Sequence, residues 1–303
     1  MARRPGRRLP ALLILLTLAA CSPAAGDGEP TTSLESTTSS TVVATTTTSS
    51  TTTTTPMATT TTSDVAATTG SPEVDAQITV PSGDGPFPSV VLVHGGGWVT
   101  GSPDLLSPLA DFLVEHGYLS VNTTYALSDF DRAGFPEAVD DVACAVRLAA
   151  SHPDSDGTVA VIGHSAGAHI GALVALTGDR YAADCPHPGS GVPERFVGLA
   201  GPYDVSRLGI GIVAFFGAGP EQAPEVWEAG NPQLLTDENT ALDSLIIYGD
   251  EDGLLDASFA LDFFEALSLS GSTSLLELVE GARHNEVHDP DLVGDLIVTW
   301  LER

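Results

Sequence analysis

The chain has 303 residues, 42% of them hydrophobic, with 31 glycines, no lysine and 11 arginines against 40 acidic residues, for a net charge of −29. Four arginines fall within the first eight positions, so seven face all 40 acids after Cys21 and the net charge there is −33. Such a surface repels nucleic acid and anionic lipid headgroups, which argues against both as partners, while the acidity itself reads as solubility and says nothing of chemistry.

Residues 1–20 read as a signal peptide and not as fold. Arg3, Arg4, Arg7 and Arg8 form a basic start, and Leu9 to Ala20 is an apolar run too short to span a bilayer as a mature helix. Leu18-Ala-Ala-Cys21-Ser22 resembles a bacterial lipoprotein signal, in which small residues precede a cysteine that is lipidated. The resemblance implies an extracytoplasmic protein, lipid-anchored to the cell membrane or secreted, whose membrane contact runs only through Cys21. A plain secretory signal with an incidental cysteine is the alternative.

Residues 21–70 are a Thr/Ser-rich linker, almost pure Thr and Ser from Pro30 to Thr69. Such a segment has too little apolar surface to offset its ordering entropy, so a disordered tether is expected. Fully extended, it would reach over roughly 100 Å. Residues 71–303 are then the size of one α/β domain. With Cys21 set aside, Cys144 and Cys185 are two cysteines in an oxidising compartment. A disulfide between them and a small buried Cys144 in a helix both remain open, since Cα separation decides.

Within the domain, Gln77–Val80 alternates like an edge strand, and Val90–Val93 is a continuous apolar run of the buried parallel kind. It leads into His94-Gly-Gly-Gly-Trp98. Leu105 to His116 has helical spacing stopped by Gly117, and Tyr118–Tyr125 is a second inner strand followed by a loop to Phe135. Pro136 opens a helix through Val139, Val142, Val146 and Leu148. Strand 158–162, a glycine turn and the small-residue helix 166–176 follow. Strands at 196–199, 244–248 and 274–279 alternate with a helix over 257–267, and a last helix covers 292–300. This alternation predicts an α/β fold, a mostly parallel sheet covered on both faces, with its active site beyond the strands' C-terminal ends. The stretch 201–243 breaks the rhythm as a long insertion. Its Phe215, Phe216 and Trp227 either form a cap or acyl pocket over the site or pack the insertion onto the body.

Gly163-His-Ser-Ala-Gly167 lies between a strand and a helix, the setting in which G-x-S-x-G holds a serine on a strained turn. A Gly-rich turn with a spectator serine is the plainer reading of the pentapeptide alone. A serine nucleophile needs a base, and the base an orienting acid, arriving from later strand ends in the order Ser, acid, His. Gly249-Asp-Glu-Asp252 follows one such strand, with Asp252 and Asp250 as acid candidates. His284 and His288 follow the last strand, and His284 is preferred because it lies nearer the strand end. The glycines after strand 90–93 can bring main-chain N–H groups up to a ligand, so Gly96, Gly97 and Ala166 are the candidate oxyanion donors beside Ser165.

Together these motifs resemble the α/β-hydrolase superfamily, in its hormone-sensitive-lipase-like esterase group and the small-carboxylesterase, kynurenine-formamidase-like branch. The matching residues are His94-Gly-Gly-Gly-Trp98 with Gly101, His116-Gly-Tyr118, Tyr125, Phe135-Pro136 with Asp141, Gly163–Gly167, Gly201-Pro-Tyr-Asp204, Asn231-Pro232, Gly249–Asp252 and His284. The resemblance implies an α/β-hydrolase fold with a small cap insertion, and Ser165, Asp252 and His284 as nucleophile, orienter and base. It implies structural roles for His94 and Asp141, and Trp98 packed beside the acyl site. The N-terminal strands are reduced to Gln77–Val80, so a sheet lacking one edge strand is expected. The activity expected is hydrolysis of a small-molecule carboxylic ester, with an aryl formamide or a sugar acetyl ester as alternatives. Neither a cofactor nor a metal is called for. A surface-anchored binding protein on the same scaffold is the non-enzyme alternative.

Overall fold

The computed structural model describes residues 74–129 and 131–303, so the expected signal peptide, Cys21 and the expected linker lie outside the described residues. Seven strands form one sheet: β1 (Ala76–Thr79), β2 (Phe87–Val93), β3 (Leu119–Thr123), β4 (Ser155–His164), β5 (Arg195–Leu199), β6 (Asp243–Gly249) and β7 (Thr273–Val279). Their order is β1-β3-β2-β4-β5-β6-β7. Only β1 runs antiparallel, pairing Ala76 with Thr123 at the edge, and every other neighbour is parallel. A single N-terminal strand at that edge agrees with the reduced N-terminal half read from the sequence.

Parallel strands need crossovers, and helices supply most of them: α1 (Ser107–Glu115), α2 (Glu137–Ser151), α3 (Ala166–Thr177) and α6 (Ser258–Ser270), while α7 (Pro290–Leu301) follows the last strand. Two short helices, α4 (Val213–Phe216) and α5 (Pro224–Ala229), lie in the insertion. The middle of the sheet is closed on both faces, so Val90 to Val93 and Val161–Ile162 are wholly buried. This explains why those runs lack the alternation of a one-sided strand. Every residue of α3 is buried, which its small side chains permit, and Gly171 stands close to Val161 and Phe196 beneath it.

Two differences from the sequence reading have local causes. The helix expected from Leu105 begins as a 3-10 turn at Pro103–Leu106 and becomes α-helical only at Ser107. Strand β4 starts three residues early, because Phe87 donates its N–H to the Asp154 carbonyl and pairs with Ser155 beyond a register shift. The cysteines are resolved as well. Cys144 in α2 and Cys185 form a disulfide with Cα atoms 5.5 Å apart, tying α2 to the segment before β5.

Candidate active site

The order β2-β4-β5-β6-β7 places the loops after β2, β4, β6 and β7 along one C-terminal edge, and the four segments singled out by sequence meet there. Ser165 follows β4 directly, with φ 53° and ψ −119°, a conformation an L-residue adopts only under strain. The turn is tight enough that a Cβ on Gly163 would strike the Gly167 carbonyl, and one on Gly167 would strike the Val93 carbonyl. Glycine at both positions is therefore a packing requirement. Ser165 N–H donates to the Leu199 carbonyl at 2.8 Å, which pins the turn to β5.

His284 Nε2 lies 2.8 Å from Ser165 Oγ, and His284 Nδ1 lies 2.7 Å from Asp252 Oδ2. The Asp252 side chain is 1% exposed and that of His284 9%. The second oxygen of Asp252 accepts the N–H groups of Leu254 and Leu255 at 2.8 and 2.9 Å, so the carboxylate is oriented from both sides. Asp250 does different work, accepting the Gly281 N–H at 2.6 Å and so fastening the loop after β7 to the loop after β6. His288 reaches neither Ser165 nor Asp252; it packs edge-on against His164, 4.7 Å between ring centroids. Of the paired candidates, the geometry joins Asp252 and His284 to Ser165 and leaves Asp250 and His288 aside.

Opposite them stands the glycine loop. Gly96 has φ +129°, and a Cβ there would run into the Thr100 carbonyl, while Gly97 has φ +60°. Among the described residues, neither N–H has a main-chain acceptor. Ala166 is the first residue of α3, and the first four N–H groups of a helix have no intrahelical acceptor. The loop is held from behind. His94, wholly buried, bonds the Gly95 carbonyl through Nδ1 at 2.7 Å and Thr124 Oγ1 through Nε2 at 3.1 Å, and stacks on Tyr125. Burial lowers its pKa below the ordinary imidazole value. Tyr125 donates its hydroxyl to the His94 carbonyl, and burial raises that phenol. Asp141 accepts the Ala126 N–H at 2.7 Å, holding the following loop against α2.

Two histidines that the sequence reading left without a role are buried ties between distant segments. His169, one helical turn after Ser165, accepts from Trp98 Nε1 at 3.2 Å and donates to the Gly230 carbonyl at 2.8 Å, so it joins the glycine loop to the insertion. Complete burial holds its pKa at about 4. His164 donates from Nε2 to the His284 carbonyl at 3.0 Å, and burial pushes its pKa down to about 3. Their signal in the sequence was weak, because a histidine beside a catalytic motif is as well explained by packing. In the insertion, Phe215, Phe216 and Trp227 are 1%, 5% and 6% exposed and pack on one another, on Phe135 and on Trp98. Of the two readings of these rings, packing onto the body is the one observed.

Among the described residues, no three His, Cys, Asp or Glu side chains gather as a metal site. A separate cavity of about 270 Å³ beside the disulfide, lined by Glu137, Asp140, Asp141 and Asp184, includes none of the residues around Ser165. Burial raises the pKa of both Asp140 and Asp141 there.

A serine on a strained turn, bonded to an imidazole that is bonded to a buried carboxylate, is an arrangement suited to acyl transfer. Comparison with known proteins agrees at the level of family and fold. The chain is 28% identical to Esterase LipC of Mycobacterium tuberculosis over 225 residues, covering 65% of this chain and 55% of that protein, so it spans about half the length of this relative. The butyrate-bound structure of esterase Est2 from Thermogutta terrifontis superposes with a TM-score of 0.61 at 21% identity, over 75% of this chain and 86% of that one. The acetyl ester-xyloside bifunctional hydrolase of Caldicellulosiruptor lactoaceticus superposes with a TM-score of 0.64 at 18% identity, over 75% and 87%. Both likenesses establish the α/β-hydrolase fold. The model of the BD-FAE family matches residues 77–267, from β1 through the glycine loop, elbow and acid loop into α6, with the His284 loop beyond it. On that match, over more than half its length, the chain belongs to the BD-FAE family.

Proposed function

We propose that the protein is a serine hydrolase that cleaves carboxylic esters through an acyl-enzyme intermediate. The single observation that carries this reading is the unbroken bonded series Asp252, His284, Ser165, at 2.7 and 2.8 Å. Ser165 Oγ attacks the ester carbonyl carbon as His284 Nε2 takes its proton, and the C=O pair moves onto oxygen. The N–H groups of Gly96, Gly97 and Ala166 receive that oxyanion, stabilising charge present only in the transition state. His284 then returns the proton to the departing alkoxide, leaving Ser165 acylated. Water repeats the sequence in reverse roles, giving one proton to His284 and its oxygen to the acyl carbon, and Ser165 regains its proton. Asp252 holds Nδ1–H throughout, which keeps Nε2 free to accept.

Small-molecule esters are favoured by the relatives: an esterase, an esterase seen with butyrate bound, and an acetyl ester-xyloside bifunctional hydrolase. The test is hydrolysis of short and medium p-nitrophenyl esters by the full-length protein, with acetylated xylan and N-formylkynurenine as further arms and Ser165→Ala as control. Turnover of the short esters, lost about a million-fold in the variant, is expected. A folded wild type inert on every arm contradicts the reading.

The proposal extends to location. The residue pattern ending at Cys21 supports a lipid anchor, with residues 21–70 as tether and 71–303 as the hydrolase domain. Replacing Cys21 by serine should release the protein from the membrane fraction, and retention there contradicts the anchor.

A further inference from the structure

The loop that carries His284, from Glu280 to Asp289, is fastened mainly on the β6 side. Asp250 accepts the Gly281 N–H at 2.6 Å, and Glu251 N–H donates to the Ala282 carbonyl at 3.0 Å. Within the loop, Arg283 N–H bonds Glu286, and Glu286 N–H bonds the Arg283 carbonyl. Towards β4 there are only two hydrogen bonds among the described residues. One is the His284–Ser165 contact; the other runs from His164 Nε2–H to the carbonyl oxygen of His284 at 3.0 Å.

These two bonds are not equivalent during the reaction proposed above. Once Ser165 is acylated, its Oγ carries no proton and can no longer donate to His284. The His164 bond is then the remaining hydrogen bond between the base loop and the strand that bears the acyl group. Its acceptor is a carbonyl, which fixes the tautomer: Nε2 carries the proton and Nδ1 a lone pair. His164 is 2% exposed, and its Nδ1 has no partner. The ring also bounds the glycine loop, since a Cβ on Gly95 would come 2.8 Å from Nδ1. It packs against the His284 ring at 5.1 Å and the His288 ring at 4.7 Å.

We infer that His164 is a positioning residue: its Nε2–H, held on the strand immediately before the nucleophile, fixes the main chain of His284 so that the base stays within reach of Ser165 through both halves of the cycle. This inference rests on reading His284 as the general base. A neutral donor suits the task, because the imidazolium formed at His284 during the reaction would be opposed by a second cation 5.1 Å away.

The experiment separates positioning from mere support of the fold. Full-length wild type, H164L, H164Q and H164N are titrated with a fluorophosphonate, so that turnover of p-nitrophenyl acetate is expressed per reactive Ser165. A residue that only stabilises the fold changes the number of titrated sites and leaves kcat per site unchanged. Removing the donor should lower kcat per site about 10- to 100-fold in H164L, the scale of a displaced catalytic group. Glutamine sets an amide N–H near the position of Nε2 and should stay within about five-fold of wild type. Asparagine falls short of the carbonyl and should behave like leucine. Where H164L fails to fold, the contrast between H164Q and H164N decides. Wild-type kcat per site in H164L or H164N, or equal losses in H164Q and H164N, overturns the inference. A wild type that hydrolyses no ester contradicts the proposed function instead, so the two failures are distinguishable.

Discussion

The elbow at 163–167 and the insertion at 200–242 both leave the C-terminal edge of the sheet, yet they are held by opposite means. In the elbow, backbone meets backbone: Gly163 and Gly167 stand so close to neighbouring carbonyls that no Cβ fits, and Ser165 is locked at φ 53°. In the insertion, side chains meet side chains, with Phe215, Phe216, Trp98 and Trp227 linked by centroid distances of 4.8 to 5.6 Å. The first kind of contact accepts one residue type, whereas the second accepts many apolar sets of similar volume. Replacing a reacting side chain, which leaves the backbone contacts of the elbow intact, should therefore change turnover with little change in stability, and replacing a ring of the insertion should do the reverse.

The largest expected effect falls on the reacting side. Asp252→Asn should lower kcat about ten-thousand-fold, because the amide stabilises the wrong tautomer of His284, with the melting temperature little changed. Asp250→Asn, which touches only the Gly281 N–H, should lose less than about ten-fold. Steady-state kinetics of the pair checks this, and the reverse order would move the acid to Asp250. Next comes the insertion: Phe215→Ala should cost about 3–5 kcal/mol in urea unfolding while the molecules still folded turn over esters. Collapse of turnover per folded molecule, at unchanged stability, would make the insertion part of the site.

Between the two regions stands His169, and it supplies a pH test. Burial holds its folded pKa at about 4, below the ordinary 6.5, so the unfolded chain takes up a proton that the folded protein refuses. This contribution to stability is fully present above pH 6.5 and is lost as the pH falls towards 4. Wild type should lose about 2 kcal/mol more than His169→Gln between pH 7 and pH 5. Equal slopes would mean that His169 is not held neutral. The smallest effect is expected at Ile210, 91% exposed in the insertion, where Ile210→Ser should shift stability by no more than about 0.5 kcal/mol.

The same contrast explains what was legible in the sequence. Buried strands such as Val90–Val93 announce themselves as unbroken apolar runs, and the seven strands fall along the chain where the alternation predicts them, with β2 and β4 each starting three residues early. The elbow was legible because its geometry demands particular residues. The choice of Asp252 over Asp250 came from the family resemblance and not from the residues alone, since both follow β6 and their bonds to His284 and Gly281 tell them apart. Cys144 and Cys185 are 41 residues apart, and nothing in that spacing states that folding brings their Cα atoms to 5.5 Å. His164 and His169 were invisible as a pair of ties, because the carbonyls they bond, at His284 and Gly230, lie 120 and 61 residues away and carry no side-chain signature.

The proposed cycle turns on Ser165 Oγ as the nucleophile that takes the acyl group. Reaction of the full-length protein with a fluorophosphonate, read by intact mass and peptide mapping, tests it directly. One adduct per molecule on Ser165, absent from Ser165→Ala and slowed in His284→Ala, is the predicted result. No adduct on a folded wild type, or an adduct on another residue while esters are still hydrolysed, would contradict it.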